Sequence, residues 1–364
     1  MNLDDILNDF KAGKLSPNAA AEKLRQLRAA PQPARAPAAL PAQEIPLTEG
    51  QKGLWTLQKL APGMSAYNLP IAFAIQAEVD VARLREAAYR VVAATPTLTS
   101  VVVLHEGTPH LSLRSWNVGD VVTDEETTLE GDALVAELRQ RVKRPFSLES
   151  GPLVRVNIFR RPDRTCVVLV TVHHLVFDGS SVLPFLQALG DVYVALAEGR
   201  VPALERASVE PYLELVAREQ ALLAGDEGAA HRAYWMAQLA PPLGVMELPT
   251  DFPRPPAPSF SGQTLERELD PTLAARVSAL AEAESVNVSV VFAAAFNMLL
   301  RAYTGADDVT VGVPAMVRPD ASYDALIGYF VNMVAIRSKG FGARPFAEAL
   351  RELQMTLADA LDHT

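Results

Sequence analysis

The apolar positions of this chain recur at two spacings, and the changes of spacing mark its elements. In "MNLDDILNDFKAGKLSPNAAAEKLRQLR" Leu3, Ile6, Leu7 and Phe10 share one helical face, Asp4 and Asp5 suit a first turn, and Gly13 suits a helix end. Ser16 and Pro17 then read as an N-cap followed by proline at the first helical position, with Leu24 and Leu27 continuing a second helix. The pattern predicts a helical hairpin over residues 1–28. An element of that size holds little core of its own, so its apolar face, with Leu7 and Phe10 on it, needs a partner. Residues 29–44, "AAPQPARAPAALPAQE", have no packing period; they read as an Ala/Pro tether or as an ordinary disordered leader.

From Ile45 the spacing is that of a globular chain. "YNLPIAFAIQAEVD" predicts a strand, and "VARLREAAYRVVAAT" an amphipathic helix with Leu84, Ala88 and Val91 in register. "LTSVVVLHEG" and "PHLSLRSW" predict strands around a turn, "LEGDALVAELRQRVKRPF" a helix, and "LVRVNIFR" and "TCVVLVTVHH" strands joined at Pro162 and Asp163. Ser180 or Ser181 is expected to cap a helix reaching Glu198. Two helical stretches follow Val201, then a proline-rich passage, "ELPTDFPRPPAPSF". A helix-rich half begins near Pro271, with "SVVFAAAFNMLLRAYTG" as a buried helix and "VTVGVPAM" as a strand. Strands and helices alternate, and the hairpins imply a mixed sheet, so the fold class is α/β (α+β).

A chain of 364 residues that is 49% hydrophobic has material for two globular units. The net charge of −10 argues against a nucleic-acid partner, which needs a basic stripe. The single cysteine, Cys166, excludes an intrachain disulfide and fits a reducing compartment. No early segment has the apolar core of a signal peptide and no apolar run reaches about 18 residues. The expectation is a cytoplasmic protein without membrane contact.

Candidate chemistry concentrates in "TVHHLVFDGSS", Thr171–Ser181. Strand alternation puts Cys166, Val168, Val170, Val172 and His174 on one face, and Val167, Leu169, Thr171 and His173 on the other. The two rings then diverge, and His105, His110, His231 and His363 are scattered, so no metal site is predicted. A Gly-x-Ser-x-Gly elbow, a phosphate loop and a dinucleotide fingerprint are all missing from the sequence. Spacing alone leaves two readings open. The histidines are strand-end residues with satisfied ring nitrogens, or one imidazole is aimed at a substrate.

The whole stretch resembles the His-His-x-x-x-Asp-Gly pattern of condensation domains in nonribosomal peptide synthetases and hybrid polyketide–peptide synthases. Other motifs of that family follow in order. "LTEGQKGLWTLQ" resembles its opening Ser-x-Ala-Gln-x-Arg-Leu-Trp, retaining Gln51, Leu54 and Trp55; "RAYWMAQLAPPLGVMELPTDFPRP" looks like its inter-lobe segment. "YTGADDVTVGVPAMVR" resembles a strand ending in Gly-Arg, with Val317 in place of the glycine and Arg318 kept. "IGYFVNMVAIR" is similar to Ile-Gly-x-Phe-Val-Asn at Ile327, Gly328, Phe330, Val331 and Asn332. The similarity runs from Ile45 to the end.

The resemblance implies two chloramphenicol-acetyltransferase-like lobes in a V, bounded as 45–220 and 221–364, the second incomplete in this chain, preceded by a small helical element. It implies an acyltransferase that moves a donor thioester to an amine or hydroxyl acceptor, both carried on phosphopantetheine arms of carrier proteins, with no cofactor bound by the domain itself. His174 is the implied catalytic histidine. His173, Asp178 and Gly179 support its loop, with Gly179 allowing a tight turn or close approach of the thioester. Asp178 pairs with Arg318 across the lobes, and Trp55 and Asn332 belong to the tunnel motifs. The hairpin at 1–28 resembles docking or leader segments of megasynthase subunits, for an upstream subunit or a second copy.

Two departures stand out. The family's second motif, Arg-His-Glu-x-Leu-Arg-Thr-x-Phe, is here "ATPTLTSVV", which keeps Leu98 and loses every charge. The chain also stops where family members continue, which points to a larger natural protein. Three further readings stand beside the acyltransferase. One is a noncatalytic module that docks carriers or gates transfer, and another is an epimerase. A heterocyclising domain is disfavoured because that branch replaces these histidines with aspartate.

Overall fold

The computed structural model describes Lys14, Ala19 and residues 44–364 other than 203, 205, 245, 256–259, 261, 263, 341 and 343. The hairpin expected at 1–28, Leu7 and Phe10 included, and the tether as far as 43 lie outside the described residues, apart from Lys14 and Ala19. Glu44, assigned to the tether, opens a strand instead.

The chain divides into two compact units. One comprises the described residues of Met1–Ala217 together with Arg318–Phe330; the other comprises Arg218–Val317 and Val331–Thr364. The expected boundary at 220 is close to the first crossing. The return of Arg318–Phe330 was not expected, because nothing in a linear pattern announces that a loop packs with residues far upstream.

The first unit holds two sheets. Strands β1 (Glu44–Pro46), β4 (Thr108–Leu113) and β3 (Ser100–His105) form one, in that order. Strands β2 (Asn68–Ile75), β7 (Cys166–His173), β6 (Val154–Arg160) and β5 (Val122–Glu126) form the other; its β5–β6 pair is parallel and the rest antiparallel. This is the mixed sheet the hairpins implied. Every residue of β7 is buried, so it reads as a continuous apolar run rather than an alternating one. Helix α1 (Glu49–Leu60) opens on a capping box between Thr48 and Gln51. Helix α2 (Val81–Ala94) starts where the Asp80 carboxylate accepts the Arg83 N–H, and buries Leu84, Ala87, Ala88, Val91 and Val92. A short helix α3 (Val118–Val121) precedes β5, and α4 (Gly131–Val142) precedes β6.

Helix α5 (Val182–Ala197) puts Phe185, Leu189 and Val192 into the core and packs against α2. With the turn before it, Gly179–Ala197 is long and apolar enough by length and composition to cross a membrane. The sequence reading missed this, because the stretch is a helix with scattered polar residues rather than an unbroken apolar run. Its buried face belongs to the core cluster.

In the second unit come α6 (Glu210–Ala224, begun in the first), α7 (Asp226–Gln238), α8 (Pro271–Ala283), α9 (Val288–Thr304) and α10 (Phe346–Leu361), with the hairpin of β8 (Asp308–Met316) and β9 (Val331–Lys339). Helix α9 was expected to be buried; it buries Val290, Val291, Ala294, Asn297 and Leu300 and exposes Phe292, Phe296, Leu299 and Tyr303. One strand pair and its neighbouring helices cover only one of its faces. Arg337 on β9 ties this unit together. Its guanidinium grips both Asp308 oxygens at 2.8 and 2.5 Å, and donates to the carbonyls of Gln238, Ala240 and Pro242.

Candidate active site around His174

Strand β7 ends at His173, paired with Asn68 at the start of β2. The chain then passes through two 3₁₀ turns, His174–Val176 and Gly179–Ser181, before α5. The His174 N–H donates to Tyr67 O at 2.8 Å. Strand alternation therefore stops one residue before the expectation carried it, and the turn sets the direction of the His174 ring.

His173 is fully buried. Its Nδ1 accepts the Leu175 N–H at 3.1 Å, so its proton sits on Nε2, which faces Gln58 Oε1 at 3.4 Å. The rings of Phe146 and Tyr67 stand edge-on to it. Burial, and then the charge of His174, push its pKa down to about 4. Such a ring folds neutral and must be forced to charge. The folded pKa lies below the unfolded one, so the contribution is complete above about pH 6.5 and is lost as pH falls towards 4. Between those limits the wild-type chain is expected to lose about 3 kcal/mol more stability than His173→Gln. Urea unfolding at pH 7 and pH 4 measures the difference, and equal losses would remove His173 from the acid response.

His174 is half-buried. Its Nδ1 lies 2.8 Å from Phe177 O. A carbonyl only accepts, so Nδ1 carries a proton, and in the neutral tautomer the lone pair is on Nε2. The Tyr329 ring stands 5.5 Å away, edge-on, and the Tyr67 ring 6.4 Å away. Burial raises the pKa of both phenols, and the charges of Asp178 and Tyr67 raise that of Tyr329 further. Both therefore stay protonated near neutrality.

Asp178 is 2% exposed and serves the loop. Its Oδ1 accepts Ser180 Oγ–H at 2.6 Å and Ser181 N–H at 3.1 Å, and its Oδ2 accepts Phe330 N–H at 2.7 Å. The Ser181 hydroxyl sits between Asp178 Oδ1 and Gly328 O and accepts the Gly328 N–H. The expected direct contact of Asp178 with Arg318 is absent among the described residues; Ser180 stands between them. Arg318 donates to Ser180 Oγ at 3.0 and 2.7 Å, to Leu326 O at 3.0 Å and to Tyr323 O. Its guanidinium lies 4.2 Å over the Phe330 ring. Burial lowers its pKa, and the charge of Asp178 opposes that shift. Because Arg318–Phe330 belongs to the first unit, this relay closes a loop within that unit rather than joining two lobes. The serines expected to cap α5 spend their hydroxyls here instead.

The remaining expected residues fall differently. Gly179 has no positive φ, and a Cβ there would meet nothing within 4 Å. A tight turn therefore does not require it. Trp55 is 4% exposed and packs in the core of the first unit, with the Lys59 ammonium 6.0 Å from its ring centroid. Asn332 is exposed on β9 of the second unit, its Oδ1 accepting the Met333 N–H at 2.8 Å. Among the described residues no group of three or more His, Cys, Asp or Glu is placed to hold a metal ion.

Sequence reasoning missed several supports. Gln51 Nε2 donates to Leu175 O at 2.8 Å, so it holds the histidine turn from α1 while also completing the capping box. Gln58, one helical face further on, holds His173. The 51, 55, 58 spacing was the available signal. Thr97, in the stretch that lost its charges, donates to Ile327 O at 2.8 Å, which the Tyr212 hydroxyl also reaches at 2.8 Å. That stretch still braces the segment carrying Tyr329.

A sequence profile described as the Condensation domain matches residues 41–364. The chain belongs to the condensation-domain family. Polyketide synthase PksN of Bacillus subtilis (strain 168) is 40% identical over 318 residues, covering 87% of this chain and 6% of PksN. This condensation domain therefore spans a small fraction of the curated relatives it matches. The first condensation domain of the calcium-dependent antibiotic synthetase, solved with a substrate analogue, is 25% identical with a TM-score of 0.73, covering 88% of this chain and 75% of that one. An X-domain solved in complex with OxyB from teicoplanin biosynthesis is 25% identical with a TM-score of 0.76, covering 92% of this chain and 73% of that one. The mixed α/β fold is thus that of condensation domains from peptide and polyketide synthases.

Proposed function

We propose that this condensation domain transfers an acyl or peptidyl chain from a donor carrier protein to an amine or hydroxyl on an acceptor carrier, forming an amide or ester. The observation that carries the reading is His174: its Nδ1–H is committed to Phe177 O, which leaves Nε2 as the ring nitrogen available to act as the base. The acceptor nitrogen or oxygen attacks the thioester carbonyl carbon with its lone pair and gives its proton to Nε2. The C–S bond then breaks, and the phosphopantetheine thiolate takes that proton back. Positioning the nucleophile is a second service the same nitrogen performs. The phosphopantetheine arms belong to the carriers, so the domain supplies no cofactor of its own. Residues 1–28 fit this reading as a docking element for an upstream subunit or a second copy.

Intact-protein mass spectrometry of loaded donor and acceptor carriers, mixed with the full-length protein, tests it. The expected result is that the mass of the chain leaves the donor and appears on the acceptor. The similarity to an X-domain that was solved bound to another protein favours a second reading, a noncatalytic docking module. Unchanged carrier masses with measurable carrier binding would select that one.

A further inference from the structure

Gly50 is the second residue of α1, where glycine is a poorer helix former than alanine. Neither a turn nor a positive φ explains it. Its surroundings do. A Cβ built on Gly50 would lie 2.8 Å from Cε1 of Tyr329, 3.2 Å from the Tyr329 hydroxyl and 3.4 Å from Cζ. The phenol ring of Tyr329 rests directly on the bare backbone of α1.

The same ring stands beside His174, centroid to centroid at 5.5 Å and inclined by 67°. The backbone of Tyr329 has little freedom to move. Gly328 N–H and O are bonded to Ser181 Oγ, Phe330 N–H to Asp178, and Ile327 O to Thr97 and Tyr212. A Cβ on Gly328 would in turn lie 2.9 Å from the Phe330 ring. Tyr329 is therefore a ring on a fixed stalk, set against the helix that carries Gln51 and beside the imidazole that carries the free Nε2.

We propose that Tyr329 is a positioning residue for His174 and that Gly50 is the residue that admits it. The aromatic edge holds the imidazole against the pull of solvent, in the plane that its bond to Phe177 O defines. Two facing constraints on one ring leave it a single orientation. A methyl group on Gly50 expels the phenol from its seat and releases the imidazole, although neither Gly50 nor its methyl touches His174. This inference rests on the proposed role of His174, but the contact itself is open to a test that needs no turnover.

The test is the rate at which diethyl pyrocarbonate carbethoxylates His174 in the 364-residue chain, read from the tryptic peptide by tandem mass spectrometry, which separates it from His173. Four variants are compared with wild type: Tyr329→Phe, Tyr329→Leu, Gly50→Ala and the double variant Gly50→Ala/Tyr329→Leu. Tyr329→Leu and Gly50→Ala should each speed the labelling. The double variant should label no faster than Tyr329→Leu alone, because both changes remove the same wedge. Tyr329→Phe keeps the edge and should label as wild type does. In steady-state transfer by the full-length protein the same order should appear as a fall in kcat of roughly 10- to 100-fold, with KM little changed and Tyr329→Phe rescuing the rate.

Thermal melts run in parallel keep the result interpretable. The double variant regains the helix propensity of alanine and has no phenol to displace, so it should melt no lower than Tyr329→Leu. Additive labelling by the two single changes, or a wild-type rate in Gly50→Ala, overturns the pairing. A wild-type transfer rate in His174→Ala would instead overturn the proposed base while leaving the labelling arm to decide the wedge.

Discussion

His174→Ala should lower single-turnover transfer between carriers by roughly 10²- to 10⁴-fold while leaving the protein folded. The structural cost of the change is small. The ring is half-buried, and its one committed hydrogen bond, to Phe177 O, is worth about 1 kcal/mol net. The turn that carries it is held by other groups: Leu175 O by Gln51, Leu175 N–H by His173, and the His174 N–H by Tyr67 O. Alanine keeps all three. Chemistry loses the loop's one imidazole with an uncommitted ring nitrogen, because the buried His173 has both of its ring nitrogens committed to Leu175 and Gln58. A melting temperature that drops with the rate would make His174 a structural residue. An unchanged rate would end its candidacy as the base.

Asp178→Ala should have the opposite signature, a loss of stability of about 3–5 kcal/mol with loss of soluble protein. Removing the carboxylate strands the Ser181 and Phe330 N–H groups in the interior and takes away the acceptor of the Ser180 hydroxyl. That hydroxyl is the group on which Arg318 rests. The charges therefore communicate through a serine, and a double-mutant cycle of Asp178→Ala with Arg318→Ala should show coupling of about 0.5–3 kcal/mol. Repeating the cycle on a Ser180→Ala background should abolish most of it. Urea unfolding of the set decides the matter: strictly additive losses on the wild-type background would mean that Ser180 carries nothing between them.

The elements legible in the sequence are those whose signal is local. Helix α2 announced itself through Leu84, Ala88 and Val91, and β6 and β7 through their apolar runs around the Pro162–Asp163 turn. Strand β1 is three residues long and gains its identity only from pairing with β4. Strand β9 hid behind a motif that was read for its chemistry. The histidine loop was legible because its residues are contiguous. Its supports were not, since Gln58 meets His173 across 115 residues and Phe330 meets Asp178 across 152. Tyr329 occupies the one variable place in Ile-Gly-x-Phe-Val-Asn, so a motif reading passes over a residue whose ring stands beside the imidazole. The Asp178–Arg318 relationship was half legible. The family resemblance named both ends, but a hydroxyl between them follows only from coordinates.

The route of the chain also sets an order of events at the ribosome. The histidine loop emerges with residues 171–181, and most of its unit is complete by Ala217. The groups that close the loop, the Arg318 guanidinium and the Gly328 and Phe330 amides, are translated only after α7, α8, α9 and β8 of the other unit. Until Phe330 has left the exit tunnel, Asp178 holds its two serines and has no amide from downstream to grip. A chain terminated before Arg318 therefore carries both histidines and Asp178 in its sequence without the downstream groups that bond to Asp178, Ser180 and Ser181.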